Sequence, residues 1–239
     1  NGKGTTMESI LRIMGEYGKN ADPTMLQAKF NSQSGGPSEE IARLAGSRFV
    51  NISEPEKKIT LDAALTKRLT GNDTITARYL HENSFEFRPN FKIFINTNHR
   101  PNITDLTLFE SGRIKIIPFD RHFEENEQDK DLKSTFAKPE NMSGILNWML
   151  EGYKLFRSQG LAMPDSVVQA TTDYQIFSDK MGQFFDECIE EKEGCELRRG
   201  AVYTRYKEWC GENGYRAEAA KNLNQEIEKR YKTARKRPN

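Results

Sequence analysis

The sequence predicts an α/β protein with a parallel sheet, followed by a smaller, mainly helical module. Apolar runs typical of buried strands alternate with helix-periodic segments through the first 160 residues. Beyond Gly160 the apolar spacing is helical almost throughout. We therefore expect two domains, residues 1–160 and 161–239, the second being a helical or winged-helix module.

The elements of the first domain follow from local patterns. Met7, Ile10, Leu11 and Met14 have the spacing of one helix face, so a helix is expected to begin near Thr5. Runs rich in apolar and β-branched residues predict strands. Turn-forming residues on either side of a run predict where the strand begins and ends. The expected strands are 48–53, 91–97 and 113–119, with a helix at 61–69 and a hairpin over 74–88.

The second domain is predicted to consist of short helices. Candidate helices cover 165–177, 180–191, 201–213 and 217–231, and Asp179 is placed to cap the second of them. Trp209 and its aromatic neighbours are expected to form the core of this module, and Trp148, Met149 and Tyr153 are expected to belong to the core of the first domain.

Composition excludes some classes of protein. The chain has 239 residues with 36 Lys and Arg against 35 Asp and Glu, a formal net charge of +1. That balance excludes a polybasic coat protein, although residues 221–239 alone hold seven Lys or Arg against two Glu. No apolar run approaches the roughly 20 residues of a membrane span, so no membrane partner is expected.

The first five residues, Asn1, Gly2, Lys3, Gly4 and Thr5, resemble the closing half of a phosphate-binding loop. Such a loop needs glycines that open the backbone, a lysine for the β- and γ-phosphates, and a helix that begins immediately after them. Thr5 is placed either to hold Mg²⁺ or to cap the helix. The alternative is an ordinary turn leading into a helix. In the phosphate-loop interpretation, the first strand and first glycine precede residue 1, so the chain is expected to be an excerpt.

Polar side chains follow two of the predicted strands. Glu54 and Glu56 come directly after strand 48–53, where α/β nucleotide enzymes position Mg²⁺ and the attacking water. The alternative is a solvated acidic loop. Asn98 follows strand 91–97 and is placed either to hold a water or phosphate oxygen, or to form a turn ahead of Pro101.

The order of these motifs resembles a known family. Asn-Gly-Lys-Gly-Thr, Phe-Val-Asn-Ile-Ser-Glu-Pro-Glu, Leu-Thr-Lys-Arg-Leu-Thr-Gly-Asn, Phe-Glu-Phe-Arg-Pro, Thr-Asn-His-Arg-Pro and Arg-Ile-Lys-Ile-Ile-Pro-Phe occur in that order. The series is similar to the superfamily 3 helicase region of phage and plasmid primase-helicases, relatives of the poxvirus primase-helicase. The resemblance runs from residue 1 to about 160 and continues more loosely over 203–214.

The resemblance implies an ATP-dependent DNA helicase with a P-loop AAA+-like core and with ATP and Mg²⁺ as cofactors. Lys3 would contact the β- and γ-phosphates, and Asn98 would read the γ-phosphate. Glu54 and Glu56 match the acidic Walker B region, with Glu54 and Thr5 as Mg²⁺ ligands. Arg113 would be the arginine finger supplied to a neighbouring subunit.

The family also implies partners and a setting. Lys67, Arg68 and Arg78 lie around the hairpin that contacts single-stranded or forked DNA in the family. A ring hexamer of the chain, a primase region upstream in the same polypeptide, and the cytoplasm of a bacterial host are implied as well.

Two other functions stay open at this point. Gly-Lys-Gly-Thr is also similar to the phosphate loop of adenylate-kinase-like nucleotide kinases, which need a lid rich in phosphate-clamping arginines. The other alternative is a DNA-binding or oligomerisation fragment that does not hydrolyse ATP.

Overall fold

A computed structural model describes residues 2–28, 39–53 and 59–233. The chain separates into two compact units, Asn1–Gln175 and Ile176–Asn239. The division falls later than the expected boundary at 160, because Thr171 and Tyr174 contact earlier residues of the first unit. The Thr171 hydroxyl accepts a hydrogen bond from the Ile116 N–H at 3.0 Å, and Tyr174 packs edge-on against Phe109.

The first unit combines helices and strands, as predicted. Its helices are α1 (Lys3–Met14), α2 (Glu39–Ala42), α3 (Ala63–Thr70), α4 (Thr107–Glu110), α5 (Leu132–Phe136) and α6 (Pro139–Gln159), and α7 (Asp165–Ser178) crosses into the second unit. Its strands are β1 (Gly18–Ala21), β2 (Phe49–Ser53), β3 (Ile75–Ala77), β4 (Phe85–Phe87) and β5 (Lys92–Asn96).

Three of the strands form a parallel sheet, which confirms the predicted mixed α/β class. The strand order is β1-β2-β5, so β2 is central among the described strands. Ile52 pairs with Ala21 on one side and with Ile95 on the other, and Ser53 pairs with Asn96. The carboxyl ends of β2 and β5 therefore lie side by side, the edge at which open α/β sheets bind ligands.

The two faces of this sheet differ in chemistry. Val50 and Ile52 are buried on one face, where Ala21, Ile93 and Ile95 join the main core. The opposite face lies under α1, which contacts all three strands. Gly18 is in close contact with α1, because a Cβ atom there would lie only 2.9 Å from Leu11. Asn51, which alternates with Val50 and Ile52 along β2, thus lies on the face under α1, together with the packed rings of Phe49 and Phe94.

The predicted hairpin forms from β3 and β4, which pair antiparallel with Ile75 opposite Phe87. Ile75 and Ala77 are buried, and the connecting loop extends from Arg78 to Ser84. His81 has a positive φ of 64° in this loop.

The strand predicted over 113–119 does not form. Residues 113–120 lie outside the helices and strands of the structure, although Ile114 and Ile116 pack against the main core. The Ile116 N–H bonds the Thr171 side chain instead of a neighbouring strand. The apolar alternation therefore reflects packing on the core and not membership of the sheet.

The long helix α6 carries many apolar side chains that are open to solvent. Trp148 is 67% exposed, Tyr153 54% and Leu146 43%, and no residue of α6 is buried, so the prediction that Trp148, Met149 and Tyr153 belong to the core is wrong. Met142, Leu146, Met149, Tyr153 and Phe156 follow a 4-3-4-3 spacing, which places them in one stripe along the helix.

The second unit has its own core. It contains α8 (Lys180–Cys188), α9 (Arg199–Glu212) and α10 (Ala220–Arg230), and residues 176–233 include no strand. The Asp179 side chain caps α8 by accepting a bond from the Gly182 N–H at 2.7 Å, as predicted. Trp209 is buried and donates from Nε1 to Glu187 at 2.7 Å.

No helix in the described part of the chain is long and apolar enough to cross a membrane.

Candidate functional site

The site begins at the first turn of α1. Gly2 has φ 72° in the left-handed region, a conformation that an L side chain adopts only at a cost of about 1 kcal/mol. This turn directs the chain into a helix that starts at Lys3 and has no side-chain cap. Its first N–H groups are therefore available to an anion, which the helix dipole also favours.

Lys3 meets Asn98 at this turn. The Lys3 ammonium donates a hydrogen bond to Asn98 Oδ1 at 2.7 Å, across 95 positions of sequence. The Thr97 side chain fixes the turn that presents Asn98, since its Oγ1 accepts from the His99 N–H at 2.9 Å and donates to the His99 carbonyl at 2.8 Å. Asn98 itself is exposed. The structure thus brings together two of the predicted site residues.

Gly4 and Thr5 complete the same turn of the helix. A Cβ atom at Gly4 would lie 3.9 Å from Asn96 Nδ2, so the turn rests over the end of β5. Thr5 is half-buried, and its backbone carbonyl accepts a hydrogen bond from Ser9 Oγ at 2.8 Å. Asn1 lies outside the described residues.

A polar cross-link that the sequence did not predict joins β1 to β2 beneath α1. Asn51 Nδ2 donates to Asn20 Oδ1 at 2.9 Å and to Ser53 Oγ at 3.0 Å. Asn51 is 3% exposed, and its Oδ1 has no hydrogen-bond partner within the part of the chain that the structure describes. The available signal was a polar residue at the centre of the apolar run Phe-Val-Asn-Ile.

The two predicted carboxylates, Glu54 and Glu56, fall outside the described residues. The described chain before them ends at Ser53, which pairs with Asn96 in the sheet. Glu54 follows Ser53 in sequence, directly after the carboxyl end of β2.

Arg113 lies at the carboxyl end of α3. Its Nη1 donates to the Lys67 carbonyl at 3.3 Å and to Thr70 Oγ1 at 3.0 Å. A guanidinium in this position meets the negative end of the helix dipole. Within its own chain Arg113 therefore supports the end of α3.

The three predicted DNA contacts differ in their surroundings. Lys67 forms an ion pair with Asp105 at 2.7 Å, and this hydrogen bond, with that of Thr107, lowers the pKa of Asp105 below its ordinary value of 3.8. Arg68 and Arg78 are exposed and form no hydrogen bond or ion pair with the described residues. Arg68 and Arg78 therefore offer free positive charge, whereas the charge of Lys67 is already matched.

The donor set at α1 fits a phosphate group. A lysine ammonium, open helix N–H groups and a carboxamide converge there, and each of them binds phosphate oxygens in proteins. The Thr5 hydroxyl is an oxygen ligand of the kind that Mg²⁺ prefers. Among the described ranges, no group of three or more His, Cys, Asp or Glu residues is arranged to hold a metal ion.

Comparison with known proteins identifies relatives of both parts of the chain. Residues 177–237 match the family described as Poxvirus D5 protein-like. The chain is 28% identical to "Putative helicase L207/L206" of Acanthamoeba polyphaga mimivirus and 27% identical to "Putative helicase 022R" of Frog virus 3 (isolate Goorha), with 89% of this chain covered in each case. It is also 29% identical to "Putative helicase V13" of the Sputnik virophage over 62% of this chain.

These relatives are much longer proteins. The matched region covers 24% of the mimivirus protein, 23% of the Frog virus 3 protein and 20% of the Sputnik protein. The chain therefore spans about a quarter of the length of its first two relatives.

The predicted relationship to the poxvirus primase-helicase is confirmed by these matches. The predicted phage or plasmid element and its bacterial host are not supported, because the relatives are proteins of eukaryotic viruses.

Proposed function

We propose that this relative of the poxvirus primase-helicase is the motor segment of a viral replication helicase, a P-loop ATPase of superfamily 3 that moves DNA. One observation carries the proposal. Lys3 and Asn98 converge on the open first turn of α1, at the carboxyl edge of a parallel sheet. Parallel α/β sheets bind nucleotides at this edge.

Each residue at the edge has a proposed part in binding ATP. Lys3 holds the β- and γ-phosphates, and Gly2 and Gly4 keep the backbone around them open. Asn98 lies within hydrogen-bond reach of the same ammonium and so is suited to contact the γ-phosphate. ATP supplies the phosphoanhydride bond that is hydrolysed, and Mg²⁺ neutralises charge on its phosphates.

The carboxylates after β2 have the proposed task of preparing water. Glu54 or Glu56 accepts the proton of the attacking water, and Glu54 with Thr5 supplies oxygen ligands to the metal. Their place in sequence, directly after the end of the central strand, supports this assignment.

Arg113 is the proposed arginine finger, acting on the site of a neighbouring copy. A fixed guanidinium stabilises the charge that develops on the transferred phosphoryl group. Such a role requires self-association, which we propose to be a ring hexamer. The apolar stripe of α6, in which Leu146, Tyr153 and Phe156 are exposed while Met142 and Met149 are half-buried, supports contact with a second copy, because exposed apolar surface commonly marks an interface.

DNA is the proposed substrate of the motor, gripped through its phosphates. Arg78, in the loop of the β3-β4 hairpin, and Arg68, on α3, provide unmatched positive charge. A primase region elsewhere in the polypeptide is a further proposal, consistent with the greater length of the relatives.

ATP hydrolysis by the whole chain tests the proposal. We expect turnover that single-stranded DNA stimulates, and a loss of about 100-fold or more in Lys3→Ala, because the phosphate charge loses its fixed cation. Lys133→Ala is the matched control, since Lys133 also touches α1, through an exposed ion pair with Glu8 at 2.9 Å. This control should keep its turnover.

Two outcomes would contradict the helicase. Transfer of phosphate to a nucleoside monophosphate would indicate a nucleotide kinase. Binding of DNA by a wild-type chain that never hydrolyses ATP would indicate a binding fragment.

A further inference from the structure

We propose that Asn51 is a positioning residue for ATP hydrolysis, which sets the end of β2 immediately before Glu54. The inference rests on the proposed function, because it assigns Asn51 a positioning role for the hydrolytic carboxylate of that same site. It concerns a residue in the interior of the central strand, one that has no expected contact with the nucleotide.

The geometry of Asn51 links two strands at the site edge. Its carboxamide donates one N–H to Asn20 of β1, at 2.9 Å, and one to the Ser53 hydroxyl, at 3.0 Å. Ser53 is the last residue of β2 and pairs with Asn96 at the end of β5. Asn51 therefore ties the end of β2 to β1 while the sheet register ties it to β5.

Stability alone does not account for a carboxamide at this position. The adjacent residues Val50 and Ile52 are fully buried and apolar, whereas Asn51 is 3% exposed and leaves its Oδ1 without a partner among the described residues. An unpaired buried acceptor costs about 1–3 kcal/mol. An apolar side chain of similar volume would remove that cost.

The partners of Asn51 do not depend on it for their own solvation. Asn20 and Ser53 are both exposed, so water replaces Asn51 as their partner if the carboxamide is removed. Loss of the cross-link should therefore remove the side-chain restraint on the strand end, which stays paired with β5, without leaving another buried polar group unpaired. Substitution of Asn51 should therefore change the position of the end of β2 without lowering the stability of the sheet.

The restraint on the strand end matters because a proposed catalytic group follows it in sequence. Ser53 directly precedes Glu54, the proposed base or metal ligand. A misplacement of about 1 Å at a reacting group costs up to roughly 100-fold in rate. Asn51 thus acts on the chemical step through Ser53 and not on the affinity for ATP, which depends on Lys3 and the first turn of α1.

The experiment compares Asn51→Leu with the wild-type chain in thermal unfolding and in steady-state ATP hydrolysis. We expect the Tm to be unchanged or raised, kcat to fall at least about tenfold, and KM for ATP to stay within about twofold. Asn102→Leu is the matched control. It removes another half-buried carboxamide, which bonds Thr60 Oγ1 at 3.2 Å elsewhere in the unit, and should leave kcat unchanged.

The outcomes separate the inference from the proposed function. An unchanged kcat in Asn51→Leu would overturn the positioning role, and so would a fall in kcat accompanied by a lower Tm. In either case, ATP hydrolysis by the wild-type chain would still support the proposed motor function. A wild-type chain without hydrolysis would overturn both.

Discussion

At the scale of single residues, the contact between Lys3 and Asn98 organises the site. The two residues are 95 positions apart, and the sequence alone predicted a role for each without showing that they meet. The fold joins them because α1 packs on the face of the sheet at whose edge β5 ends. A lysine that is already held by a neutral carboxamide is oriented for an anion without losing its charge.

The three basic residues that are assigned to DNA binding also differ in solvent exposure and in ion pairing. Lys67 is neutralised by Asp105 at 2.7 Å, whereas Arg68 and Arg78 are exposed and unmatched in the described part of the chain. Because the pKa of Asp105 is lowered, its carboxylate stays charged as pH falls from neutrality, and the charge is lost only below the ordinary value of 3.8. The ion pair therefore persists across the neutral range.

Binding of single-stranded DNA at several salt concentrations tests this difference. Arg78→Gln should weaken binding and reduce the slope of log affinity against log salt by about 0.7, the value for one phosphate contact on a single strand. Lys67→Gln should change the slope less, because its charge already faces Asp105. Equal slopes for the two variants would contradict the assignment of a free charge to Arg78 and a matched charge to Lys67.

At the scale of elements, the sequence predicted those parts whose pattern is set by their own residues. Helix α1 and strands β2 and β5 were predicted close to their observed limits, because helical spacing and short apolar runs are local signals. The glycines on either side of Lys3 predicted the open first turn of α1. The same local logic placed Asn98 directly after a strand.

The segment 113–119 was predicted wrongly because strand formation also needs a partner. Its alternating Ile114 and Ile116 pack on the core, and the N–H of Ile116 bonds Thr171 of α7. Neither contact has a signal in the local pattern. The Asn51 cross-link was missed for a similar reason, since Asn20 is 31 residues away in sequence.

At the scale of the whole molecule, the chain combines an α/β unit and a helical unit with separate cores. The match to the Poxvirus D5 protein-like family falls on residues 177–237, and the viral relatives extend over most of both units. Since the chain spans about a quarter of these relatives, the activity proposed for it is that of a motor segment.

Substitutions in α6 test the proposed self-association of the chain. Leu146→Glu combined with Tyr153→Glu places charge in the exposed apolar stripe, so we expect the oligomer to dissociate in light scattering coupled to size exclusion. The fold should be retained, because neither side chain is buried. Asn147→Glu, at an exposed polar position of the same helix, is the control and should keep the wild-type mass. An unchanged mass in the double variant would exclude α6 from the interface.

The most direct test of the central claim is a double-mutant cycle in kcat/KM for ATP, with Lys3→Ala, Asn98→Ala and the two combined. If Lys3 and Asn98 serve one phosphate site, the combined variant should lose little more than Lys3→Ala alone, with a coupling energy of about 0.5–3 kcal/mol. Losses that multiply independently would contradict a shared site. Hydrolysis that neither substitution changes would contradict a nucleotide site at the start of α1.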